Sequence, residues 1–235
     1  MTENWLAIVV GIYLAAMILY GHYRGFIRLA VSAVSLIATL ILVQMAVPHV
    51  TDFLQNHTQL YSSFEESMAE AFGLGAGEEI QGTAGQRALI EDLPLPKQLK
   101  DSLLENNNGE VYQMLGVDTF TAYVGRYLAN SILSTITFLV LFVLIFALFR
   151  IITIWFDLVA RLPVLCGMNK IAGAVLGGLE GLFFLWIAGL FVTVFSATDI
   201  GGKILAQIES SAWLSFLYDN NLLSGLILTV ARNLF

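Results

Sequence analysis

Residues 127–149 read YLANSILSTITFLVLFVLIFALF, 23 residues without an Asp, Glu, Lys or Arg between Arg126 and Arg150. A helix needs ~20 apolar residues to cross a hydrocarbon core of ~30 Å. An open strand cannot make that crossing, because lipid offers its backbone polar groups no partners. The stretch therefore reads as a membrane-spanning helix. It has counterparts in the chain: 20 uncharged residues separate Glu3 from Arg24, 23 separate Arg28 from Asp52, and 18 separate Glu180 from Asp199. Spanning helices are expected near 4–22, 26–47, 127–149 and 171–197. The composition agrees, since 57% of the 235 residues are apolar and only 12% charged, about half the charged share of a soluble domain. The fold class is an all-α membrane protein with about four transmembrane helices plus amphipathic interfacial helices.

The charges divide the chain. Residues 48–125 hold twelve acidic and three basic residues, whereas the short connections carry Arg24 and Arg28, then Arg150, Arg161 and Lys170. Basic residues in short loops mark the cytoplasmic side. The acidic loop and both termini are then expected outside. Four regions result: a hairpin of two helices over 1–47, an acidic loop over 48–125, two further helices with a basic connection over 126–198, and an amphipathic C-terminal segment over 199–235. No basic stretch precedes the first apolar run, so that run reads as a retained helix and not as a cleaved leader. Trp5, Tyr20, Tyr23, Tyr127 and Trp155 fall near span ends, as interfacial aromatic rings do; Trp186 falls inside a span.

Within the acidic loop, 62–72 reads as a short helix capped by serine with an acidic first turn. Leu95, Leu99 and Leu103 recur at the spacing of one helical face. Gly73 to Gly85 holds five glycines and reads as a loop, and Asn106-Asn107-Asn108-Gly109 as a turn. Large apolar residues are few here, so a separately folded domain is not expected. Asp118 can cap, and Pro163 can end, one long helix whose far side carries Ile151, Trp155, Leu158 and Leu162. Leu222 to Ala231 is too short to cross and reads as a surface or re-entrant helix.

Several residues stand out against this background. Arg24 and Arg28, flanking Gly25, are four apart and would share a helix face, where like charges repel. They anchor the chain at the membrane surface or contact lipid headgroups or a partner. Gly173, Gly177 and Gly181 line one face of the last span, with Gly178 beside them. Lipid supplies no hydrophobic drive for helix association, so such a face permits close backbone packing, within the chain or between copies. Glu180 is an intramembrane carboxylate. It stays wet near the interface, pairs with a cation such as Arg28, or lies on a proton or ion path. Ser32, Ser35, Thr39, Ser131, Ser134 and Thr135 bond across helices or back to their own carbonyls.

No enzyme, metal or cofactor pattern is present. The one cysteine, Cys166, has no histidine near it in sequence, and His22, His49 and His57 lack metal-ligand spacing. A net charge of −7 argues against nucleic acid, which requires a basic face. The expected partners are the lipid bilayer, other membrane proteins or a second copy of the chain.

Arg24-Gly25-Phe26-Ile27-Arg28 and Asn169-Lys170-Ile171-Ala172-Gly173, the latter followed by Gly177 and Gly181, resemble signatures of the colicin V production protein (CvpA) family. The resemblance covers about 5–47 and 127–197. Asn169-Lys170 stands where an Asp-Arg pair is common in that family, and Glu180 where a basic residue can occur. The resemblance implies a multi-pass protein of the bacterial cytoplasmic membrane, linked to toxin production and export and to envelope homeostasis. The expected function is that of a non-enzymatic accessory or scaffold; the alternative is a small oligomeric channel or transporter.

Overall fold

A computed structural model describes residues 4–57, 60–71, 82–157 and 168–232. The described residues are helical throughout, with no strand among them. Four helices are long and apolar enough to span a membrane: α1 (Trp5–Arg24), α2 (Phe26–His57), α7 (Phe120–Asp157) and α8 (Met168–Val194). Between α2 and α7 lie α3 (Leu60–Ala71), α4 (Thr83–Asp92), α5 (Lys97–Glu105) and α6 (Gly109–Leu115). After α8 come α9 (Asp199–Glu209), α10 (Ala212–Asp219) and α11 (Leu222–Arg232).

The bundle pairs α1 with α8 and α2 with α7, and α2 also lies along α8. Its outer surface is apolar: Ile12, Leu19, Val34, Leu144 and Val175 are all more than 60% exposed. In water those side chains would be costly to leave uncovered, whereas lipid solvates them. Leu36, Val43, Phe138, Phe142, Ile187 and Leu190 form the core between α2, α7 and α8. The end with Arg24, Arg28 and Lys170 is called the basic end below, and the opposite end, beside 48–125, the acidic end.

Both long helices exceed their expected bounds. α2 continues past Pro48 to His57, although proline removes one helical N–H and crowds the preceding turn. α7 begins at Phe120, with the Thr119 hydroxyl accepting from the Ala122 N–H at 3.3 Å, so Thr119 and not Asp118 caps it. α7 is 38 residues long, ~57 Å at the helical rise. Its first three turns stand clear of the bundle core and act as a wall for the acidic region.

That wall is what covers the loop helices. Ile90, Leu93, Leu95, Leu99, Leu103, Val111, Leu115 and Val117 bury together against Phe120, Tyr123, Val124, Tyr127, Leu128 and Ile132 of α7. The loop is poor in apolar residues by itself, and α7 supplies the rest. Tyr127 consequently faces this core and not the interface, with its hydroxyl accepting from Asn106 Nδ2 at 3.2 Å. The asparagine turn caps both neighbours: Asn106 ends α5, and the Asn108 side chain accepts from the Val111 N–H. α3 begins at Leu60, so Ser62 lies inside it and is not its cap.

Arg126, a basic residue at the acidic end, finds its partners here. It donates to both Glu65 carboxylate oxygens, at 3.0 and 3.4 Å, and to the Leu115 carbonyl at 2.7 Å, tying α3 and α6 to α7. Nearby, burial pushes the Tyr61 hydroxyl up to about 12, with Glu65 adding to the shift, so it stays neutral at ordinary pH.

The C-terminal segment folds back on the bundle. Leu223 and Ile227 of α11 are buried in the same core as Leu36 and Phe142. The far-side stripe on α7 cannot be followed, because Leu158, Leu162, Pro163 and Cys166, like residues 73–81, lie outside the described residues.

Candidate functional site

The two family-like motifs, 140 residues apart in sequence, meet at the basic end. α1 ends at Arg24 because Gly25 adopts φ 80°, a conformation that only glycine takes without a Cβ penalty. α2 restarts at Phe26. Arg24 and Arg28 therefore sit on different helices and do not share a face, contrary to their four-residue spacing. Arg24 is half-buried, its guanidinium 5.4 Å from the Tyr20 ring centroid, while Arg28 is exposed. Asn169, in the first turn of α8, locks the turn: its Oδ1 accepts from the Ile27 N–H at 3.2 Å. Its Nδ2 occupies the space where a Gly25 side chain would begin. One side chain thus satisfies an N–H at the start of α2 that the helix itself leaves without a partner. Asn169→Ala is expected to destabilise this end by ~1 kcal/mol, as loss of a side-chain cap does. Faster amide exchange at Ile27 and Arg28 would register it; unchanged exchange there would refute the locking role.

From this turn the glycines run inward as a seam between α1 and α8. A Cβ on Gly177 would lie 2.5 Å from the Met17 carbonyl and 2.8 Å from Gly21 Cα. A Cβ on Gly21 would strike the Gly173 carbonyl, and one on Gly173 would lie 2.8 Å from the Gly25 carbonyl carbon. Gly181 faces Met17, and the Tyr13 hydroxyl donates to the Gly181 carbonyl at 3.2 Å. The glycine face is therefore occupied inside the chain by α1. The signal missed in the sequence is Gly21, at four-residue steps from Met17 and Gly25, which makes the face reciprocal.

Glu180 points the other way, toward α2. It is 7% exposed, and Ser32 of α2 and the cations Arg150 and Arg24 lie near enough to act on it electrostatically. Those cations replace Arg28 as its electrostatic neighbours. Its Oε1 has no hydrogen-bond partner among the described residues. Buried to this degree, it is not a snorkelling surface carboxylate.

Several of the remaining buried polar groups lie toward the opposite end, while Thr39 is buried in the middle of α2. Gln55 Nε2 donates to Asn130 Oδ1 at 3.0 Å, and the buried hydroxyls of Thr51, Ser131 and Ser134 lack partners among the described residues. Ser35, Thr39 and Thr135 bond back to their own helices. Between the Ser131 level and Glu180 stands an aromatic layer. Phe142 packs on Phe138, Phe146 and Phe183 at centroid distances of 6.2, 5.6 and 5.8 Å, and Phe184 meets Phe146 at 5.7 Å. Among the described residues, no three His, Cys, Asp or Glu side chains gather as metal ligands do.

Comparison with known families places this architecture. Residues 111–221 match the profile of the colicin V production protein family, which bears out the resemblance read from the motifs. The matched segment runs from α6 through α10. It contains Asn169, the seam glycines of α8 and Glu180, and excludes the Arg24–Arg28 turn that Asn169 holds. No curated protein and no solved structure matches the chain.

Proposed function

We propose that this chain, a membrane protein carrying a colicin V production domain over residues 111–221, is a non-enzymatic accessory or scaffold that serves toxin production and export or envelope maintenance. Its place is the bacterial cytoplasmic membrane, with the basic end in the cytoplasm and both termini outside. The acidic-end core then meets extracytoplasmic partners, and the Arg24–Arg28 turn holds the chain at the inner lipid surface.

The observation that carries this reading is the aromatic layer. A solute path needs polar or wet residues along its length, and intramembrane ionisable groups mark such paths. Here Phe138, Phe142, Phe146 and Phe183 pack together on α7 and α8, and the buried Thr39 hydroxyl in the middle of α2 is bonded to its own helix. Among the described residues, one chain alone therefore offers no continuous run of polar side chains across the span.

The oligomeric channel or transporter is kept as a second reading because of Glu180 Oε1, which is buried without a hydrogen-bond partner among the described residues. Two measurements separate the readings. In crosslinked membranes the scaffold should co-purify with the same partners repeatedly; recovery of the chain alone would count against it. In liposomes the purified protein should give no ion flux at rest or under osmotic stress. Flux that appears with the protein and changes in Glu180→Gln would establish the transport reading instead.

A further inference from the structure

At the acidic end, α1, α8, α9 and α10 line a half-open cavity of about 160 Å³. Its wall is formed by Leu6 and Val10 of α1, Leu185 and Val192 of α8, Ile204 of α9 and Leu217 of α10. Leu6 and Val10 belong to the first two turns of one span, and Leu185 and Val192 to the last turns of another. The cavity therefore lies within the thickness of the membrane, near one surface.

The polar groups around it are already engaged. Trp186 Nε1 donates to the Leu217 carbonyl at 3.1 Å. Asn221 donates to the Trp186 carbonyl at 2.9 Å and accepts from the Leu223 N–H at 3.0 Å. The Tyr218 hydroxyl is 2.8 Å from that of Thr193. A polar ligand would find nothing to bond, whereas a hydrocarbon would lose nothing. Dry apolar cavities of ~150 Å³ admit benzene, so this one has room for roughly six carbon atoms of a chain, the inner part of a longer tail.

The rim supplies the other half of the argument. Lys203 is exposed on α9, next to Ile204 of the wall. It is the sole Lys or Arg between Lys170 and Arg232. Among the described residues the ion pairs are Arg87–Glu91 and Arg126–Glu65, so no described carboxylate pairs with Lys203. α9 and α10 carry exposed Ile200, Trp213 and Phe216, the composition of helices that lie in the headgroup layer. An exposed cation one residue from the wall of an apolar slot matches the layout of one phospholipid.

We propose that this cavity holds an acyl chain of an anionic phospholipid whose phosphate sits at Lys203. The site is independent of the accessory reading, because a channel could carry it equally well.

The test uses the full chain with Trp5, Trp155 and Trp213 replaced by Phe, leaving Trp186 in the cavity wall as the sole fluorophore. The protein is reconstituted in vesicles of phosphatidylcholine and phosphatidylglycerol, one or the other carrying brominated acyl chains that quench tryptophan on contact. Quenching of Trp186 should be stronger when the phosphatidylglycerol is brominated. Val192→Phe and Ile204→Phe fill the slot from opposite walls, and each should cut the quenching at least twofold. Lys203→Gln should reduce the preference for the anionic lipid by roughly fivefold, the share of one surface lysine. Elution as a monodisperse peak in detergent certifies that each variant is folded; if one filling variant fails, the other decides. Quenching that ignores both filling variants would overturn the proposal, and so would equal quenching by the two lipids. A cavity filled by protein from a second copy would give the first of these results.

Discussion

Gly177→Leu, and separately Gly21→Leu, should each destabilise the folded protein by at least about 3 kcal/mol, the upper part of the range for overpacking. The reason is what each new side chain would meet. A Cβ at Gly177 already falls 2.5 Å from the Met17 carbonyl and 2.8 Å from Gly21 Cα, both backbone atoms. Flexible side chains can rotate away; backbone cannot, so α1 and α8 must separate along their whole seam. Separation would also break the Tyr13–Gly181 hydrogen bond and pull Gly25 from Asn169. Gly11 is the control, because its Cβ would meet nothing within 4 Å, and Gly11→Leu should be neutral. Thermal challenge followed by size-exclusion chromatography in detergent would report the midpoint of each variant. A Gly177→Leu midpoint close to that of Gly11→Leu would show that the seam is not the main contact of α1.

Leu103→Ala should cost ~2–5 kcal/mol, as truncation of a fully buried leucine does, and the loss should be local. Leu103 has no exposed surface and lies at the centre of the acidic-end core. Tyr123 packs beside it and donates its hydroxyl to the Leu103 carbonyl at 2.7 Å. A cavity at Leu103 loosens that hydrogen bond and the stacking of Tyr123 on Tyr112, now at 4.9 Å. Hydrogen exchange should rise across α4, α5 and α6 while Ile187 and Leu190 in the bundle keep their protection. Uniform loss of protection in both places would show that the acidic end and the bundle unfold as one unit.

The spans were legible because length and charge decide them. Lipid makes an unbroken uncharged run of about 20 residues unambiguous, and all four expected spans coincide with candidate spanning helices of the structure. The acidic-end core was not legible, because periodicity shows which face of a helix is apolar and not what covers it. Leu95, Leu99 and Leu103 announced a buried face; the partner was the start of α7, which read as the end of the loop and the first turns of the third span. The glycines of α8 announced close packing but left its partner open, since Gly21 and Gly25 look like isolated turn residues until the fold aligns them. Arg24 and Arg28 misled for the converse reason. Four-residue spacing implies a shared face only if the helix is continuous, and Gly25 at φ 80° breaks it. Glu180 was recognisable as an unusual charge, but Ser32 and Arg150, its neighbours in space, are far from it in sequence.

The pairing of α1 with α8 has a consequence for biosynthesis. Gly21 and its partner Gly173 are 152 residues apart, and a ribosome adds ~5–20 residues per second. For roughly 8–30 s α1 therefore sits in the bilayer with its glycine groove unfilled, while the chain that will fill it is still being translated. During that interval the groove is open to any other helix with a small-residue face, including the α1 of a neighbouring nascent chain. Production of this protein is thus most exposed to mispairing before α8 leaves the ribosome, and premature termination anywhere ahead of Gly173 leaves a fragment whose α1 lacks its seam partner.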